Sequence, residues 1–144
     1  MESIEHIYNG DELLSIIIRE SYHANGITFI TSDDYPQQLG YMNRPKDYII
    51  VPHVHNHIER IVYFTQETLI IKNGVVRVDF YTQEKHYLES RLLYKGDIIL
   101  LAAGGHGFKM IQPSEIVEIK QGPYAGNLDK VRFDPIDDDK VILK

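Results

Sequence analysis

The sequence predicts an all-β domain, and three observations carry that prediction. From residue 48 onward, short runs rich in β-branched and aromatic residues recur, with turn residues between many of them. Strands do not alternate with helical stretches, so a parallel sheet with covering helices has no support. A chain of 144 residues fits one compact domain and leaves little room for a second. Regular short strands of this kind bury a core as a sandwich or a barrel.

Residues 11–22, rich in Leu13, Leu14, Ile16, Ile17 and Ile18, come first and stop at Asn25-Gly26. Their apolar residues are too crowded for period alone to separate helix from buried strand, and a short helix is the expectation. Residues 27–31 read as a strand, broken by 32–36. Further strands are expected over 48–55, 60–64, 67–72, 75–81, 97–103, 108–111 and 116–120. Residues 134–139 carry four aspartates and read as a solvated tail. The organisation expected is an N-terminal extension over 1–39 packing on a barrel of 40–133, with an acidic C-terminal tail at 134–144.

One link is open to closer reading. Asn73-Gly74 is the preferred pair for a two-residue type I′ hairpin, because both positions need φ > 0. Alternation about that turn puts Leu69 and Ile71 on one face with Val76, Val78 and Phe80. Glu67 falls on the same apolar face, where an unpaired carboxylate would be very costly, so it needs a partner. Arg77, Asp79 and Tyr81 fall on the opposite face, which predicts a sheet-surface or dimer role for them.

Composition narrows the chemistry. The hydrophobic share is 43% and the charged share 25%, as in an ordinary folded protein. A net charge of −6 without a basic face argues against a nucleic-acid partner. No apolar stretch approaches a membrane span, residues 98–103 numbering only six, so no membrane partner is expected. The acidic start lacks the basic region of a signal peptide, and a cytoplasmic location is expected. With no cysteine, disulfides, thiolate metal sites and a thiol nucleophile are excluded.

Seven histidines remain, and three of them, His53, His55 and His57, alternate within five residues. In a strand all three point the same way. Same-face neighbours lie about 7 Å apart, close enough for two imidazoles to share an ion, whereas residues 53 and 57 are separated by roughly 13 Å. His106, in Gly104-Gly105-His106-Gly107-Phe108, shares a strand face with Phe108 and Met110. His6, His23 and His86 look unrelated to the cluster.

Pro52-His53-Val54-His55, Glu67 with Gly74, and the run from Gly96 to Gly104 with His106 together resemble the cupin superfamily. Its motifs are Gly-x5-His-x-His-x3–4-Glu-x6-Gly and Gly-x5-Pro-x-Gly-x2-His-x3-Asn. The resemblance covers roughly residues 40–120. Asp47, Ala102 and Met110 stand where the motifs have glycine, proline and asparagine, and eleven residues separate His55 from Glu67. Glu59 satisfies the shorter spacing and is the alternative ligand; His57 replaces His53 if the register shifts.

The resemblance implies a double-stranded β-helix, the cupin jelly-roll barrel, preceded by a short N-terminal helical or irregular segment. It implies a divalent transition metal ion held by His53, His55, Glu67 and His106. Imidazole and carboxylate suit iron, manganese, nickel, cobalt or zinc, without choosing among them. It also implies a homodimer and a metal-dependent enzyme acting on a small polar molecule, a sugar derivative or oxyacid, by isomerisation or epimerisation. An iron-dependent dioxygenase and a non-catalytic sugar-binding module are the alternatives, since one fold hosts many activities. No catalytic residue is assigned at this point. Tyr41, Arg44, Arg77, Tyr81, Lys120, Gln121 and Tyr124 are weaker candidates for lining a pocket for an oxyanion or sugar, and 121–126 reads as an ordinary loop.

Overall fold

The computed structural model describes residues 2–144. Ten strands form in chain order: β1 (Ile4–Asn9), β2 (Glu12–Ile18), β3 (Gly26–Phe29), β4 (Gly40–Asn43), β5 (Glu67–Asn73), β6 (Val75–Tyr81), β7 (Tyr87–Tyr94), β8 (Ile98–Leu101), β9 (Gly105–Met110) and β10 (Glu115–Lys120). Every ladder between them is antiparallel, and no α-helix occurs among the described residues. The chain divides into two compact units, one joining the chain up to Tyr22 with Thr65–Lys144, the other His23–Phe64.

The first unit contains a five-stranded sheet, β1-β2-β8-β5-β10, and a three-stranded sheet, β7-β6-β9. No closed barrel forms among the described residues. The helix expected over 11–22 is instead strand β2. Leu14 to Ile18 are all buried, and β2 lies between β1 and β8. A continuous apolar run is what a strand buried on both faces requires, and it erases the two-residue alternation that would have marked it.

Asn73-Gly74 does not close a hairpin. β5 pairs with β8 and β10, whereas β6 pairs with β7 and β9, so the chain changes sheet at this point. Gly74 sits at φ 89°, and a Cβ there would lie 2.3 Å from the Pro113 carbonyl oxygen. The face assignment nevertheless holds. Leu69 and Ile71 from one sheet meet Val76, Val78 and Phe80 from the other in one core, which also takes in Ile17, Leu93 and Ile99.

The strand β7 escapes the sequence pattern because Tyr-Leu-Glu-Ser-Arg-Leu-Leu-Tyr mixes charged with apolar residues, and β9 starts three residues earlier than expected. The four aspartates of the tail are exposed, as expected, and its backbone is tied to the first unit. Ser90 N donates to the Ile142 carbonyl (2.8 Å), Lys144 N to the Ser90 carbonyl (3.1 Å) and Ile136 N to the Tyr81 hydroxyl (2.9 Å). Arg77, which chelates Asp79 through Nε and Nη2 at 2.8 and 3.0 Å, also reaches Asp138 at 2.9 Å. Arg77, Asp79 and Tyr81 are therefore buried, not displayed on an open sheet surface.

In the second unit β3 pairs with β4. The strands expected over 48–55 and 60–64 make no ladder: the backbone there is irregular, and Val54 and Tyr63 are 89% and 87% exposed. A β-branched run becomes a strand only where a neighbour supplies its hydrogen bonds, and β-propensity alone does not provide one.

Candidate functional site

The inward faces of the two sheets in the first unit place a polar layer at one end of an apolar core. Glu67 opens β5; its cross-strand partners are Leu101 on β8 and Lys120 on β10. Residues directly opposite in an antiparallel ladder point to the same side, so Lys120 shares the inward face of Glu67. On the facing sheet His106 is the partner of Phe80. The turn into β9 passes tightly against the end of β6: Gly104 has φ 68°, and a Cβ there would lie 2.6 Å from the Tyr81 carbonyl oxygen. That close approach needs glycine, and it sets His106 two residues later on the inner face.

Across the space between the sheets, His106 Nε2 meets Glu67 Oε2 at 3.1 Å. This supplies the partner that the apolar position of Glu67 demands. Glu67 is 8% exposed, while the His106 side chain is 29% exposed and packs beside the Phe108 ring. The hydrogen bond from His106 holds the Glu67 carboxyl below its ordinary value of 4.5; burial opposes this, and the charges of His106, Lys130 and Lys120 add to it. An ionised carboxylate only accepts, so Nε2 carries the proton of this bond and Nδ1 is left as the basic nitrogen.

A depressed native value means that the carboxylate adds to stability above its unfolded value and loses that contribution as pH falls through the native one. The difference in urea midpoint between the protein and Glu67→Gln is expected to be full above pH 4.5 and to shrink as the pH is taken below it. A difference that grows on acidification would contradict the assignment.

Two loops border the pair. Gln121 N donates to the Gln66 carbonyl at 3.0 Å, and Thr65 Oγ1 donates to Asp129 Oδ1 at 2.5 Å. Asp129 Oδ2 lies 3.6 Å from Lys120 Nζ. Thr65, Asp129 and Lys130 carry no sequence signal, because they lie in loops without periodicity and meet the site only through the fold.

The other expected ligands lie in the second unit. His53 and His55 are exposed, with ring centroids 5.3 Å apart, edge to face, and His53 Nδ1 lies 2.9 Å from the Val51 carbonyl oxygen. His57 and the alternative ligand Glu59 are exposed too. The structure thus brings together Glu67 with His106, and His53 with His55. Among the described residues, no group of three or more His, Asp or Glu side chains is arranged to hold a metal ion. Asp97, in the second motif-like run, faces away from this chemistry: it is buried against Arg19, where Nη1 donates to Oδ2 at 2.7 Å. No helix of the described residues is long and apolar enough to cross a membrane.

Comparison with known proteins adds no identity: no family model, no curated protein and no solved structure matches this chain.

Proposed function

We propose that the protein is an enzyme of cupin type that isomerises or epimerises a small polar molecule, with Glu67 and His106 as its working pair. The observation that carries this reading is the 3.1 Å bond between an inward imidazole and an inward carboxylate at the polar end of an apolar core. A carboxylate that fixes the tautomer of a histidine and stabilises its charged form is the general arrangement for moving a proton at a neutral pH. Here Glu67 orients the ring, and Nδ1 of His106 takes the proton from the carbon next to a substrate carbonyl and returns it. Phe80 and Leu101, the ladder partners of His106 and Glu67, place apolar side chains beside the pair, which strengthens its electrostatics.

In a metal-dependent form, Nδ1 of His106 and a Glu67 carboxylate oxygen would be donors to an ion such as iron, manganese, nickel, cobalt or zinc, and Nδ1 would then hold the ion instead of acting as the base. Such an ion, when bound, would polarise the substrate carbonyl as a Lewis acid. The test is elemental analysis of untagged protein purified without added metal or chelating resin, with Glu67→Ala and His106→Ala beside it. About one equivalent of a single metal in the parent, lost in both variants, is the result that supports the metal-dependent form. Equal, near-zero metal in all three would leave proton transfer by the pair alone.

A further inference from the structure

Lys120, next to the Glu67–His106 pair, is incompletely used, and Lys130 directly follows Asp129, the residue that pairs with Lys120. Lys120 ends β10 on the inward face, directly across the ladder from Glu67, with its side chain 26% exposed. Its only ion pair among the described residues, to Asp129, spans 3.6 Å, longer than the roughly 2.7–3.2 Å of a well-formed N–H···O hydrogen bond. Asp129 is itself committed to Thr65, at 2.5 Å. Lys130, the next residue along, is exposed and makes no ion pair among the described residues. The charges of both lysines reach the Glu67 carboxylate. Holding an ammonium beside a site without full hydrogen bonding leaves donor capacity pointed at whatever enters it.

We infer that the molecule taken by this site is an acid: a carboxylate or phosphate of the substrate binds Lys120 and Lys130 while its reacting carbon faces His106. The inference rests on the proposed proton-transfer reading for what happens at His106, but the anion contact is separable from it. Glu67 and His106 are committed to each other, so the lysines are the side chains left to recognise charge. A compact ammonium on a flexible stem is suited to a carboxylate or a phosphate as a point charge. Asp129 then acts as the positioning residue for Lys120, tying the 121–130 loop to the start of β5 through Thr65.

Glucose, glucuronate and glucose 1-phosphate serve as probes, matched in ring and differing in charge. Binding is read at constant ionic strength from the imidazole proton resonance of His106 in the untagged, full-length protein. Saturable shifts are expected with glucuronate, glucose 1-phosphate or both, and none with glucose. Lys120→Gln and Lys130→Gln should each weaken the acid binding about tenfold or more, with unchanged thermal midpoints showing that the fold survives. Glucose binding as well as the acids, acids binding equally to the lysine variants, or no acid shifting His106 would each overturn the inference. Glu67→Gln separates the two readings. If the acids still bind it through the lysines, yet it exchanges substrate protons as fast as the parent, the acidic-substrate inference stands and the proton-transfer reading falls.

Discussion

His106→Gln is expected to slow proton exchange at the substrate carbon by about 10²- to 10⁴-fold, the usual contribution of a positioned general base. Glutamine keeps an N–H for Glu67 but has no nitrogen that takes up a proton, so it removes the chemistry and leaves the bond across the two sheets possible. The measurement is the loss of the α-proton signal of an acidic sugar substrate in deuterated water, followed by NMR. Glu67→Gln is expected to act in the same direction but less strongly, because the imidazole remains and only its orientation and its charged partner are lost. His106 is 29% exposed at the end of the core, so the thermal midpoint of His106→Gln should stay near that of the parent. Exchange at the parental rate in His106→Gln would remove His106 from the mechanism.

Asp97→Ala is expected to have the largest effect on stability, about 3–5 kcal/mol, as for other buried ion pairs that lose one partner. Asp97 is 3% exposed, and its carboxylate ties the segment after β2 to the turn between β7 and β8. Oδ2 accepts from Arg19 Nη1 at 2.7 Å and from Tyr94 N at 2.9 Å, while Oδ1 accepts from Glu20 N at 3.0 Å. Alanine would leave two backbone N–H groups without their acceptor. It would also leave the Arg19 guanidinium, itself 7% exposed, with only Glu5 and the Leu92 carbonyl. Against a total of about 5–15 kcal/mol for a domain, that loss brings the fold close to its limit. Asp97→Asn keeps the shape and one acceptor oxygen, so it should cost less. Urea unfolding of the three proteins makes the comparison, and an alanine variant as stable as the parent would show that Asp97 is not the tie described here.

Asp97 also shows why a motif-like run needs its fold before its role can be read. Gly96-Asp97 opens the stretch that resembles the second cupin motif, yet the aspartate serves packing between β2, β7 and β8. His106 lies nine residues further on, across a glycine turn, and is the residue of the same stretch that meets Glu67. Sequence spacing placed both residues; burial and hydrogen-bond partners separated them. Lys120 was visible in the sequence only as one of several polar candidates. Its pairing across from Glu67 singles it out, and that pairing joins residues 53 positions apart.

Local pattern was sufficient for the β character of the chain after residue 66 apart from β7, for the strand bounds of β6, and for the inward face of Glu67. These depend on alternation along one segment, a property a strand carries with it whatever its neighbours are. Only the tertiary structure decided that β5 and β6 lie in different sheets, that 134–144 covers Arg77 and Asp79, that 11–22 holds a strand, and that 48–64 finds no ladder. Each of those depends on which distant edge supplies the hydrogen bonds or which distant surface removes the water. The inward face of Glu67 emerged correctly from a hairpin that does not exist, because alternation through Gly74 aims the same residues at the core whether the chain turns back within one sheet or crosses to the other. What the segment itself could not specify was the partner on the far side, and that partner is His106.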